Sequence, residues 1–145
     1  MGSTGWEPGD TAICSKGGDG YNAIDPDVLV APDGTPWMVF GSFWSGIQLI
    51  ELNKDGTRAG TDLENIASGP RGDGEGAFLV YRCGYYYLFL SHGLCCPGAD
   101  GRSLNDLTYN IVVGRSESVH GPYVDKDGGA LLDGAGTVIV EGDGG

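Results

Sequence analysis

Asp25 and Glu75 stand fifty positions apart, each just ahead of a short apolar run. Asp25-Pro26-Asp27 leads into Val28-Leu29-Val30, and Glu75-Gly76-Ala77 leads into Phe78-Leu79-Val80. Two carboxylates brought to one cleft can do acid–base work on a sugar. One, held protonated, gives its proton to the leaving-group oxygen, and another activates water or attacks the sugar. A neighbouring negative charge favours the protonated form of the acid. Phe43, Trp44 and Tyr109 offer flat apolar faces to a sugar ring, and Asn22 and Ser42 offer hydrogen bonds to its hydroxyls. Taken singly, these residues have plainer readings. Asp25 before Pro26 can be a turn former, Glu75 between Gly74 and Gly76 a solvated loop charge, and "SFWSG" a turn with one exposed aromatic. The matched offset favours chemistry over these.

The elements that must hold the acids are short strands. Sliding the chain by fifty positions also lays Gly34 on Gly84, Trp37 on Tyr87 and Phe40 on Leu90. The repeated unit is an acid, a strand, a Gly turn, an aromatic strand, a loop and a third strand. A period of about 50 residues with three to four strands per unit is that of a propeller blade. Equivalent positions of neighbouring blades face a common axis, so the two acids converge if each opens an inner strand. Strands are expected at 28–30, 37–40, 78–81 and 109–116, with a half-exposed alternating strand at 47–52 and a buried one at 85–91. Residues 60–77 read as irregular, 92–108 as a long loop, and 137–140 as the edge of something new. No segment carries a sustained helical period, so the fold class is all-β.

Composition narrows the partners. The 145 residues suffice for one ordinary domain with a core. A net charge of -12, with only 8 Lys and Arg, excludes phosphate backbones and anionic membrane surfaces. No apolar run approaches the roughly 20 residues that span a bilayer. The start, "MGSTGWEPGD", is neither a signal peptide nor a myristoylation signal. No C-x-x-C occurs and His92 and His120 lack ligand spacing, so no structural zinc is expected. The acidic turns "PDVLVAPDG" and "VDKDGG" do not fit an EF-hand and read as hairpin turns. Cys95 and Cys96 are adjacent, either as free thiols or as a vicinal disulfide.

"YNAIDPDVLVAPDGTPWMVFGSFWSGIQLIEL" resembles the third-blade signature of the five-bladed β-propeller arabinanases of glycoside hydrolase family 43. "GEGAFLVYRCGYYYLFLSHGLCC" with "TYNIVVGRSESVHGPYVDKDG" is similar to the following blade of the same family. The resemblance runs from about Trp6 to Gly128. It implies inverting hydrolysis of internal α-1,5-L-arabinofuranosidic bonds of arabinan by three carboxylates. Glu75 matches the general acid. Asp25 matches the carboxylate that raises the acid's pKa and orients it. Asn22, Ala23 and Ile24 match one substrate-binding stretch, Ser42, Phe43 and Trp44 a second, and Tyr109 a cleft-lining tyrosine.

The match has departures. A small residue and Pro commonly follow the family's acid, where Gly76-Ala77 stand here. The family's general base lies on a blade upstream of this segment, and the histidine that reaches the propeller axis lies downstream. The expected organisation is therefore a partial propeller of about two blades with pieces of their neighbours: 1–20 the end of a preceding blade, 21–66 one blade, 67–128 the next, and 129–145 the start of a following one. Alone, such a piece is expected to fold poorly and to hydrolyse nothing. No cofactor is required within the segment, and calcium or another ion at the axis of the complete enzyme is compatible with the family. Secretion is expected from a polymeric substrate. An exo-acting α-L-arabinofuranosidase or β-xylosidase of the same family, and a non-catalytic carbohydrate-binding propeller, remain as alternatives.

Overall fold

The computed structural model describes residues 11–69, 72–94 and 109–142. Eight strands run in chain order: β1 Asp27–Val30, β2 Pro36–Phe40, β3 Ile47–Glu51, β4 Glu64–Ala67, β5 Glu75–Arg82, β6 Tyr85–His92, β7 Asn110–Ser116 and β8 Thr137–Glu141. A 3₁₀ turn at Leu131–Asp133 precedes β8. The strands form two four-stranded antiparallel meanders, β1-β2-β3-β4 and β5-β6-β7-β8.

Local chemistry sets the turns. Between β1 and β2, the Gly34 amide donates to the Ala31 carbonyl at 2.8 Å, with Gly34 at φ 89°. Between β5 and β6 the chain reverses in two residues, Cys83 (φ 52°) and Gly84 (φ 86°). Two consecutive left-handed residues match the right-handed twist of the flanking strands, which is why such turns close hairpins.

The two sheets stack in sequence order. In the first sheet, Met38, Phe40, Ile50 and Leu52 pack with Ala12, Ile13, Tyr21 and Ala23, which lie upstream of β1. Its opposite face, with Val39, Ile47, Leu49 and Ile66, packs against Ala77, Leu79, Leu88, Leu90 and Val112 of the second sheet. The far face of the second sheet leaves Phe78 53% and Val140 49% exposed. This repeated orientation is that of consecutive propeller blades. Gly114 belongs to the same packing, because a Cβ there would collide with Leu131, which is fully buried.

Four expectations change. Residues Ile47–Ile50 are all buried, not half-exposed, because β3 is an inner strand covered on both faces. The span 60–77 is not wholly irregular. It contains β4, whose four residues are too few to show a period, and the start of β5. Tyr85, Tyr86 and Tyr87 are half-buried, and only Leu88, Leu90 and His92 of β6 are fully so. Residues 137–140 open no new unit, since β8 pairs with β7 and completes the second sheet. Cys95 and Cys96 lie outside the described residues, and Cys14 and Cys83 are free and exposed.

Candidate active site

Glu75 is the first residue of β5 and sits where the two sheets meet. Ser42, just past the end of β2, forms an isolated antiparallel bridge with it. The Phe43 amide donates to the Gly74 carbonyl at 3.0 Å. The loop after β2 thus docks on the entry to β5 and presents side chains to its carboxylate. The Ser42 hydroxyl, 4% exposed, donates to Glu75 Oε2 at 2.8 Å. Tyr109, just before β7, donates its hydroxyl to Glu75 Oε1 at 2.8 Å. Both carboxylate oxygens are therefore held by side-chain hydroxyls, one from each sheet.

The "SFWSG" segment is shaped for presentation. Phe43 and Trp44 both adopt left-handed backbone, at φ 55° and 48°, and the Gly46 amide closes the turn on the Phe43 carbonyl at 2.7 Å. Two bulky residues in that region cost energy that surrounding contacts must offset. Gly46 permits the close approach, because a Cβ there would strike the Ala67 carbonyl. The turn leaves Phe43 half-buried and Trp44 57% exposed beside the Glu75 entry.

Asp25 precedes β1, is exposed, and takes φ 53°. Aspartate tolerates left-handed backbone better than most residues. Its charge reaches the Tyr109 phenol, so Asp25, Glu75 and Tyr109 share one neighbourhood. Burial, first, pushes the Tyr109 phenol above its ordinary value. Glu75 and the charge of Asp25 push the same way, while a hydrogen bond with Ser91 acts against them.

Asn22, Ala23 and Ile24 form a short three-residue turn just before Asp25. The Ile24 amide donates to the Asn22 carbonyl, and the Ile24 carbonyl accepts from Gly41, both at 3.0 Å. Ile24 is exposed, whereas Ala23 turns its methyl toward Met38 and Phe40. Its side chain is thus part of the packing, not of the cleft beside Glu75.

Two contributors escaped the sequence reading. Ser91 is the register partner of Glu75 across β5 and β6 and acts on Tyr109. Asp27 carries a carboxylate that accepts the Leu79 amide at 2.8 Å, tying β1 to β5 across the sheet boundary. The doubled acid of "DPD" was a signal for Asp27; Ser91 had none. Among the described residues, no group of three or more His, Cys, Asp and Glu side chains is placed to hold a metal ion.

Chemically, the site offers a carboxyl group fixed at both oxygens, a second carboxylate nearby, and an exposed indole. Among the described residues it lacks a cationic partner for an anionic substrate. Proton delivery to a neutral, ring-shaped substrate suits it.

Comparison with known proteins agrees with this chemistry. The profile of the glycosyl hydrolases family 43 matches residues 7–140. The chain is 43% identical over 142 residues to an extracellular endo-α-(1→5)-L-arabinanase of Bacillus subtilis, covering 97% of this chain and 42% of that protein. It is 40% identical over 137 residues to an extracellular exo-α-(1→5)-L-arabinofuranosidase of Cellvibrio japonicus, covering 86% of this chain and 38% of that protein. The solved structure of an endo-arabinanase from Bacillus licheniformis superposes with a TM-score of 0.81 at 46% identity, over 90% of this chain and 44% of that one. The chain thus spans about two fifths of the length of the relatives it matches.

Proposed function

The chain belongs to glycosyl hydrolases family 43, and from that membership we propose that it carries the acid half of an arabinan-cleaving site. The reaction is inverting hydrolysis of internal α-1,5-L-arabinofuranosidic bonds. The observation that carries this reading is the double clamp on Glu75, with Ser42 on Oε2 and Tyr109 on Oε1, beside an exposed Trp44.

In this reading Glu75 protonates the leaving oxygen as the glycosidic bond breaks. Asp25 keeps a negative charge near the acid and favours its protonated form. Ser42 and Tyr109 fix the carboxyl plane. Trp44 and Phe43 stack on the sugar, and Asn22 and Ile24 bound the cleft on the Asp25 side. Inversion also needs a base on the opposite face of the sugar, roughly 6.5–9.5 Å from the acid. The proposal assigns that base to a blade of the five-bladed propeller other than the two described. Secretion fits a polymeric substrate, and both curated relatives above are named as extracellular.

The test is cleavage of linear α-1,5-arabinan by the complete enzyme and its Glu75→Gln variant. The expected result is internal cleavage by the first, and by the second retained binding with cleavage lost. A variant that cleaves normally removes Glu75 from the reaction. An unmutated enzyme that binds without cleaving makes the protein a binding module. The Cellvibrio relative gives one specific reason to weigh exo action. Release of single short products from chain ends, without mid-chain scission, would establish it.

A further inference from the structure

A second cavity lies away from Glu75, on the opposite face of the second sheet. Glu75 and Ser91 are register partners and share one face, with Ile111 as the next partner across. His92 and Asn110 are partners one step along, and alternation puts them on the other face. There they line a cavity of about 380 Å³ with Asp73, Val112, Asp125 and Val138. This volume lies within the roughly 300–1,000 Å³ usual for small-molecule sites.

The cavity has an unsatisfied demand. His92 is 6% exposed, and its Nε2 is buried without a hydrogen-bond partner. With the Ser68 backbone acting on the ring and Nε2 unpartnered, the N–H is assigned to Nδ1 and the lone pair to Nε2. Burial, the larger effect, pulls the imidazole below its ordinary value against the charge of Asp73, which keeps that lone pair free near neutral pH. A buried acceptor of this kind calls for a donor.

The other walls say which donor. Among the described residues no Lys or Arg lines the cavity, so none of them offers an anion a counter-charge. A metal ion finds no third ligand among the described residues. Asp125 has one carboxylate oxygen already occupied by the amides of Asp127 (2.9 Å) and Gly129 (2.7 Å). The lining also holds the buried Asp73 carboxylate, and with it an imidazole acceptor, an amide that both donates and accepts, and the apolar side chains of Val112 and Val138. Hydroxyls on one side and C–H groups on the other match that lining.

We propose that this cavity binds one neutral sugar of pentose size, with a sugar hydroxyl donating to His92 Nε2 and Asn110 bonding a neighbouring hydroxyl. The site is accessory to the cleft. Its existence does not depend on the hydrolytic reading, which guides only the choice of first probe.

Long-range ¹H–¹⁵N NMR of the labelled protein reads both imidazole nitrogens of His92, assigned by difference against His92→Phe. Titration with L-arabinose should shift the Nε2 resonance saturably and leave Nδ1 in place. Asn110→Ala should weaken that response about tenfold, the loss of one buried hydrogen bond. Val138→Phe, which fills the cavity from its exposed rim, should abolish it. Glu75→Gln should leave it unchanged, separating the cavity from the cleft. Binding is read without turnover, so a protein that fails to cleave arabinan can still pass. The proposal is overturned if neither nitrogen moves, if Zn²⁺ moves Nε2 and the sugar does not, or if the response survives both Asn110→Ala and Val138→Phe.

Discussion

Asp25 and Glu75 hold the same place in two consecutive blades, yet their surroundings differ. Asp25 stands before its strand, exposed, on left-handed backbone. Glu75 opens its strand, half-buried, with a hydroxyl on each oxygen. The connections explain the difference. After β2 the chain needs only residues 41–46 to reach β3, and this tight turn sends Ser42 forward to the next blade. Residues 93–109 separate β6 from β7, and Tyr109 is the last of them. A repeated scaffold has been given connections of unequal length, and a residue from each reaches the second acid. Two carboxylates in unlike environments take unlike roles.

The sharpest way to break this comparison is to neutralise each acid in turn in the complete enzyme. Glu75→Gln should lower kcat by about 10²–10⁴-fold, the usual worth of a positioned general acid. Asp25→Asn should cost less, since the acid itself remains. Equal losses would erase the distinction between them.

The same asymmetry governs packing. Leu88 is fully buried between the sheets, whereas Phe78 on the far face is half exposed. Leu88→Ala should cost about 2–5 kcal/mol in denaturant unfolding. Phe78→Ser in the same chain should stay within about 0.5 kcal/mol. A Phe78 variant as damaging as Leu88→Ala would show that the far face is covered.

The offset of fifty was legible because strands of like length recur, and the structure shows how narrowly it holds. Leu29 pairs with Trp37, but its image Leu79 pairs with Leu88, one residue later than the repeat requires. The shorter Cys83-Gly84 turn causes the slip. An irregularity between Glu75 and Phe78, with Gly76 at φ 61°, takes it up, so Glu75 faces Ser91, the image of Gly41. Bulges next to active sites re-aim side chains in this way. The sequence therefore disclosed the places of Asp25 and Glu75 at their strand starts, the hairpins and the aromatic turn. It hid β4, the full length of β5 and the role of Ser91. Those depend on contacts between sheets, which no local pattern records.

The two hydroxyls on Glu75 allow a finer cut. Ser42→Ala and Tyr109→Phe each remove one hydrogen bond to a carboxylate, worth about 1.5–3 kcal/mol. Each should lower kcat by roughly ten- to a hundredfold with KM little changed, if these residues position the acid rather than grip the sugar. A rise in KM with kcat intact would return them to substrate binding.

The smallest expected effect concerns pH, and again sets one blade face against the other. His92 lies on the inner face of β6, and burial there holds its imidazole below the ordinary value of 6.5. Just below that pH, the unfolded chain binds a proton that the folded ring refuses. Stability is then full above about pH 6.5 and falls as the pH drops through the folded value. A single titrating group can bend the curve by at most one proton's slope, so the loss is gentle. His92→Phe keeps a ring in the same space and removes the proton. Unfolding of both proteins between pH 7 and pH 5 should give a curve for the variant that is flatter by that one proton. Parallel curves would mean that the imidazole is protonated alike in the folded and unfolded chains, and that burial on this face does not keep it neutral.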